Sequence, residues 1–144
     1  MKLSTRTRYG MRAIIELAQH NTKRPLQLKI IAKRQDISVK YLEQLMTMLN
    51  SAGFVRSVRG SKGGYVLAKP AEQIRLSEVF RCLEGSVTTT ECVEDEDYCV
   101  RSADCLARVV WALVGAAIDN VLESMTLQQL LDMAKEKRKL DYQI

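Results

Sequence analysis

Apolar residues recur at helical spacing over residues 5–19, where Met11, Ile14, Ile15 and Ala18 share one face and Ser4 stands at the N-cap. A break over 21–25 separates this helix from a short one at 28–34, whose buried stripe is Leu28, Ile31 and Ala32. Gln35, Asp36 and Ile37 then leave room only for a sharp turn. Ser38 caps a third helix over 39–52 with the seam Leu42, Leu45 and Leu49, and Gly53 follows where a left-handed residue is wanted. Lys40, Tyr41, Glu43, Gln44 and Thr47 are left to face outward. Two helices joined by a short turn, the second polar on its outer face, describe a helix-turn-helix.

Over 54–68 the period falls from 3.6 to 2: Val55, Ser57 and Arg59 alternate with Arg56 and Val58, and Tyr65, Val66 and Leu67 resume an extended run. Between them lies the tip Gly60, Ser61, Lys62, Gly63, Gly64. A hairpin with a basic, glycine-rich tip directly after a recognition helix reads as a wing. A phosphate-cradling loop is the alternative, but the P-loop spacing is absent and the loop joins two strands rather than opening a helix.

A further helix is predicted over 76–84, with Cys82 beside Val79 and Leu83 as a small core residue, ended by Gly85. Asp104 is the predicted N-cap of a long helix over 105–125. Its stripe is Leu106, Val109, Val110, Leu113, Ala117, Val121 and Leu122, widened by Trp111 and Val114. About twenty residues span roughly 30 Å, more than a small winged domain covers, so a second copy of the chain is expected against it. Thr126 caps a last helix carrying Leu127, Leu130, Leu131 and Ala134, and the charged tail is expected to fray.

The segment from Cys92 to Cys105 breaks this periodicity. Three cysteines, Cys92, Cys99 and Cys105, lie among Glu94, Asp95, Glu96, Asp97 and Asp104, with no apolar run able to pack a core. Ordering each residue costs about 1–2 kcal/mol, and joint thiolate ligation of a metal centre would supply it. The alternative is a mobile loop with reduced thiols. Tight Cys-x2-Cys knuckles, the usual zinc sign, are absent, and wider spacing suits an iron–sulfur cluster.

Charge changes the picture next. Residues 1–81 hold 16 Lys and Arg against 5 Asp and Glu, a balance of +11, while residues 82–105 hold 1 against 7, a balance of −6. A basic N-terminal half is the footprint of a phosphate-backbone binder. Ser38, Lys40, Glu43 and Gln44, with Tyr41 beside them, are therefore candidates for reading double-stranded DNA: Gln44 can pair with adenine, and Glu43 can accept from cytosine. Arg59, Ser61 and Lys62 would reach the adjacent groove or backbone. An i,i+3 ion pair between Lys40 and Glu43 is the plainer alternative. At 144 residues and 47% hydrophobic the chain suits one domain, or a small domain with an appended helical unit. No apolar run approaches a membrane span and no secretory leader is evident, so a cytoplasmic protein without membrane attachment is expected. A single histidine, with no motif for an activated nucleophile and no nucleotide loop, argues against an enzyme.

The strings RYGMRAIIELA, ISVKYLEQLM and VRGSKGGYVLAKP, followed by the three cysteines, resemble the bacterial iron–sulfur transcription regulators of the IscR, NsrR and RirA family, closest to IscR, with CymR as a cluster-free cousin. The resemblance implies a mainly α fold with a small β-hairpin, namely a winged helix-turn-helix plus a long dimerisation helix. Residues 1–84 would form the DNA-binding domain, 85–104 the cluster-binding loop, and 105–144 the dimerisation and C-terminal helices. It also implies a homodimer on a roughly palindromic operator, acting as a repressor, with one iron–sulfur cluster per subunit held by Cys92, Cys99 and Cys105, [2Fe–2S] favoured over [4Fe–4S]. The role implied is control of cluster-assembly genes. An NO- or iron-responsive regulator is the runner-up, and a metal-carrier protein without operator function is the alternative from another class. Two departures stand out: Arg108 occupies the position of the IscR-like histidine ligand, and Arg8 that of the NsrR-like acidic ligand. Glu91, Glu94, water or a small thiol are left for the fourth position.

Overall fold

The computed structural model describes residues 2–20 and 24–142. Among them, six helices and one two-stranded antiparallel hairpin follow the order expected, and a seventh, single-turn helix at Glu91–Glu94 was not foreseen in the sequence. The expected break at 21–25 falls partly outside the described residues.

Helix α1 (Thr5–His20) buries Ala13, Ile14, Leu17 and Ala18, a stripe of helical period, and Ser4 caps it by accepting the Thr7 amide at 3.1 Å. Helix α2 (Leu28–Gln35) ends at Asp36, a left-handed residue at φ 52°, so the chain reverses within two residues. Glu16 of α1 accepts from Arg34 and Gln35, which pins α2 across α1. Ser38 caps α3 (Val39–Ser51) by accepting the Tyr41 amide at 3.1 Å, and Gly53 at φ 78° turns the chain out of the helix.

Strands β1 (Val55–Val58) and β2 (Gly64–Leu67) pair from Val55↔Leu67 to Val58↔Gly64. The hairpin is tied to the body by a third short pairing: Leu26 and Tyr65 exchange two backbone hydrogen bonds of 2.9 Å. Gly64 makes that approach possible, since a Cβ there would lie 2.3 Å from the Leu26 carbonyl oxygen.

Helix α4 (Leu76–Glu84) packs Val79, Phe80 and Leu83 inward. The core joins Ile14, Ile31, Leu42, Met46, Leu49, Phe54, Ile74, Val79 and Leu83. Leu127 and Leu131 of α7 (Leu127–Tyr142) close it. The chain hooks α7 onto the start of α4 through Leu127 N–H to Ile74 O at 2.8 Å and Leu76 N–H to Met125 O at 3.0 Å. The charged tail is helical as far as Tyr142; Gln143 and Ile144 lie outside the described residues.

Helix α6 (Leu106–Glu123) is different in kind. Over 18 residues it buries none. Leu106 is 83% exposed and Leu113 66%, and Val109, Val110, Trp111, Val114 and Val121 are exposed as well. It leans on α4 through one edge, where Arg81 pairs with Asp119 and Glu123 at 3.0 Å each.

Candidate nucleic-acid interface and cysteine segment

The outward face of α3 carries Lys40, Glu43 and Gln44, all exposed, with Ser38 at its N-terminal end. The Ser38 oxygen is engaged as the cap, which leaves its hydroxyl hydrogen to donate. Among the described residues no ion pair joins Lys40 to Glu43, so both head groups face solvent. Burial first, and the Glu43 carboxylate second, push the Tyr65 hydroxyl above its ordinary value. Arg59, Ser61 and Lys62 are exposed around the wing tip, which is closed by Gly63 N–H to Gly60 O at 3.0 Å. Recognition-helix and wing candidates thus belong to one continuous module.

Tyr41 departs from the expectation of an outward side chain. It is half-buried, edge-on to Tyr9 of α1 with ring centroids 6.3 Å apart. The Arg8 and Arg12 guanidinium groups lie 5.8 and 5.5 Å from the Tyr9 ring centroid. These three α1 residues adjoin the outer face of α3 and bring two cations beside it. The sequence reading did not assign Arg12 or Tyr9 to this surface; Tyr9, between two cations one turn apart, was the available signal.

The cysteine segment is built from single turns. Helix α5 (Glu91–Glu94) carries Cys92, and 3-10 turns follow at Glu96–Tyr98 and Ser102–Asp104. The predicted Asp104 cap is not formed, because Asp104 belongs to that last turn; Cys105 holds the N-cap position of α6 without a side-chain bond. Nor is the segment held by nothing. Arg108 donates Nε–H to the Cys92 carbonyl at 2.7 Å and Nη2–H to Glu96 at 2.9 Å. Thr89 donates to the Trp111 carbonyl at 2.9 Å. Hydrogen bonds from Ser86 and then Thr88 hold the Glu94 carboxyl below its ordinary value.

All four cysteines are free: Cys92 and Cys105 half-buried, Cys99 exposed, and Cys92 Sγ 3.3 Å from Thr90 Oγ1. Among the described residues no three His, Cys, Asp or Glu side chains converge to hold a metal ion. A groove of about 550 Å³ opens at the N-terminal end of α6, lined by Cys105, Arg108, Ser102 and Val93 among others. Ser102, 6% exposed, leaves its hydroxyl without a partner there. The donor chemistry suits an iron–sulfur group, with three free thiols on a segment whose sole buried residue is Ser102. Bringing the thiols together takes movement of the segment. Cys82 stands apart on α4, half-buried, with Sγ 3.8 Å from the Met48 carbonyl oxygen and its thiol pushed up by burial.

A helix-turn-helix with an adjoining wing, on the basic half of the chain, defines the protein as a winged-helix transcription regulator that binds DNA. Residues 3–133 match the Rrf2 model, described as an iron-dependent transcriptional regulator, and the chain belongs to that family. It is 43% identical over 131 residues to protein rrf2 of Nitratidesulfovibrio vulgaris, covering 91% of this chain and 87% of that one. The structure of CymR, the global cysteine regulator of B. subtilis, superposes with TM-score 0.79 at 38% identity, covering 92% and 98% of the two chains. That of T. potens IscR gives 0.77 at 39% identity, covering 95% and 90%.

Proposed function

We propose that this chain is a cytoplasmic, homodimeric repressor without enzymatic activity. It reads a roughly palindromic operator through α3 and the wing, with operator affinity set by an iron–sulfur cluster on Cys92, Cys99 and Cys105. The observation that carries the DNA part is the exposed face of Lys40, Glu43 and Gln44 beside the exposed tip of Arg59, Ser61 and Lys62, on the half of the chain with a balance of +11. Gln44 and Glu43 have the groups to read base edges, and the wing cations suit phosphates. Two such modules reach two half-sites when α6 covers its apolar face with that of a second copy.

Cys92, Cys99 and Cys105 would hold the cluster, [2Fe–2S] favoured over [4Fe–4S]; when bound it supplies a centre reactive toward oxidants, NO or iron depletion. The protein's own part is the path from segment to reading head. The segment leaves the end of α4, whose last turn is hydrogen-bonded to the first turn of α1, and α1 packs Tyr9 on Tyr41 of α3. Support for the cluster is the donor set and the iron-dependent description of the family. Control of cluster-assembly genes is the role we favour. A second reading, regulation by thiol chemistry with no resident cluster, has its own support in the thiols' lack of convergence and in Arg108 standing over the segment. Anaerobically purified protein is expected to absorb in the visible range, to contain iron and sulfide, and to shift operator fragments differently before and after cluster loss. Colourless, iron-free protein that still binds its operator would favour the second reading.

A further inference from the structure

The segment from Cys92 to Cys105 buries almost nothing, yet it has a defined path, and one side chain joins its two ends. Arg108 stands in the first turn of α6, with 23% of its side chain exposed. Its Nε–H meets the Cys92 carbonyl oxygen at 2.7 Å, sixteen positions back, and its Nη2–H meets the Glu96 carboxylate at 2.9 Å, twelve positions back. We propose that Arg108 is a positioning residue, a metal-independent latch that holds the α5 turn and Cys92 on the N-terminal end of α6.

The guanidinium suits this task because it presents several donors in a fixed plane, so one group satisfies a main-chain carbonyl and a carboxylate together. Glu96 contributes the charge, and Cys92 contributes the point of attachment. The thiol of Cys92 is not itself held by Arg108; the backbone beneath it is. A rearrangement that lifts the Cys92 backbone away from the N-terminal end of α6 must break the bond from Nε. The latch therefore sets how readily the segment leaves its resting path. This role concerns the metal-free chain and stands whether or not a cluster is ever bound.

The experiment uses metal-free full-length protein under reducing conditions. Two rates are read: cleavage between residues 91 and 104 by a broad-specificity protease, and alkylation of Cys92 relative to Cys99, located by mass spectrometry. In Arg108→Ala, cleavage is expected to rise about tenfold, the effect of losing roughly 1.4 kcal/mol from a local opening equilibrium, and Cys92 alkylation is expected to rise with it. Arg108→Lys keeps the charge opposite Glu96 but loses the fork, so it should restore part of the protection. Glu96→Gln should open the segment less than Arg108→Ala. Arg101→Ala, which removes a cation from the same segment without touching either bond, should match wild type. If Arg108→Ala unfolds the whole chain, Glu96→Gln and Arg108→Lys decide the matter by the same two rates. Wild-type rates in Arg108→Ala, or equal opening by Arg101→Ala, overturn the latch. Iron content, measured separately on anaerobically purified protein, bears on the cluster and not on this result.

Discussion

Glu84 caps helix α1 from eighty positions away: Ser4 Oγ donates to Glu84 Oε2 at 2.6 Å, and the Ser4 amide donates to both carboxylate oxygens at 3.3 Å. Thr7 donates to the same oxygen, and Arg6 Nε donates to the neighbouring Leu83 carbonyl. A negative group at a helix N-terminus is favoured by the dipole and by the amides that lack partners there. The pair does more than stabilise α1. Glu84 is the last residue of α4 before Gly85 and the cysteine segment, and four positions beyond Thr5 stands Tyr9, packed on Tyr41 of the reading helix. The anchor of the segment and the proposed reading helix are therefore linked through α1, by hydrogen bonds at Glu84 and a ring contact at Tyr9.

The link at Glu84 has a pH dependence. Hydrogen bonds from Ser4, then Thr7, hold the Glu84 carboxyl below its ordinary value of 4.5. A lowered folded-state value means stability that is fully present above the unfolded value and lost as pH falls through the folded one. Glu84→Gln is expected to cost about 1 kcal/mol near neutral pH, the order of one charge-assisted hydrogen bond at a half-buried site. The difference from wild type should shrink as the pH falls below 4.5. Urea titrations at two pH values check it; an equal difference at both would remove the carboxylate from the account.

The reading face and the wing should fail in different ways. Lys62→Ala is expected to weaken binding to all DNA and to lower the salt slope by about one unit. Gln44→Ala should instead relax preference at one base pair in each half-site, costing about 1–3 kcal/mol against the correct sequence. Arg12→Ala, on α1 and outside the proposed reading helix, should behave like Lys62→Ala. Fluorescence titrations at three salt concentrations on operator and scrambled duplexes separate the two patterns. Equal loss on both duplexes for Gln44→Ala would show that α3 does not read bases.

Helix α6 makes the prediction about assembly unusually clean. Leu113 and Val110 are exposed in the single subunit, so a charge there need not disturb the fold of one chain. Leu113→Glu or Val110→Glu is expected to give monomers with a nearly unchanged core, because a charge trapped unpaired between two α6 helices costs several kcal/mol. Sedimentation reports the mass and circular dichroism the fold. An intact dimer in both variants would place the subunit contact elsewhere.

Local chemistry made most of the helix boundaries and apolar faces legible. Ser38 and Gly53 mark both ends of α3, and Thr126 with Gln129 forms the reciprocal cap that opens α7, with bonds of 3.2 and 2.8 Å. The seam Leu42, Leu45 and Leu49 is buried as its period implies, and α6 shows the apolar surplus its stripe announces. What stayed illegible depends on partners distant in the chain. Asp104 has the right chemistry for a cap, but the 3-10 turn it ends leaves Cys105 at the cap position. Arg108 reads as a missing ligand in the sequence, whereas its bonds to Cys92 and Glu96 exist only once the segment has folded back on α6. Nothing near Glu84 in the sequence points to Ser4.

The last prediction concerns the thiols. Cys92, Cys99 and Cys105 should each be required for a coloured, iron-containing protein, whereas Cys82→Ala should keep its colour. The first three lie on turns with one buried residue among them, so they can be drawn together at little cost in packing; Cys82 is fixed on α4 with its Sγ toward the Met48 carbonyl. Losing one of three protein thiolates leaves too few ligands to keep the irons from solvent and oxidants. Serine replacements preserve size, and the exposure of Cys99 makes Cys99→Ser the variant least able to act through misfolding. Iron and sulfide analysis with visible absorption, on protein purified without oxygen, reads the result. Wild-type iron content in Cys99→Ser would remove Cys99 from the ligand set and leave Cys92 and Cys105 in need of donors from another part of the chain.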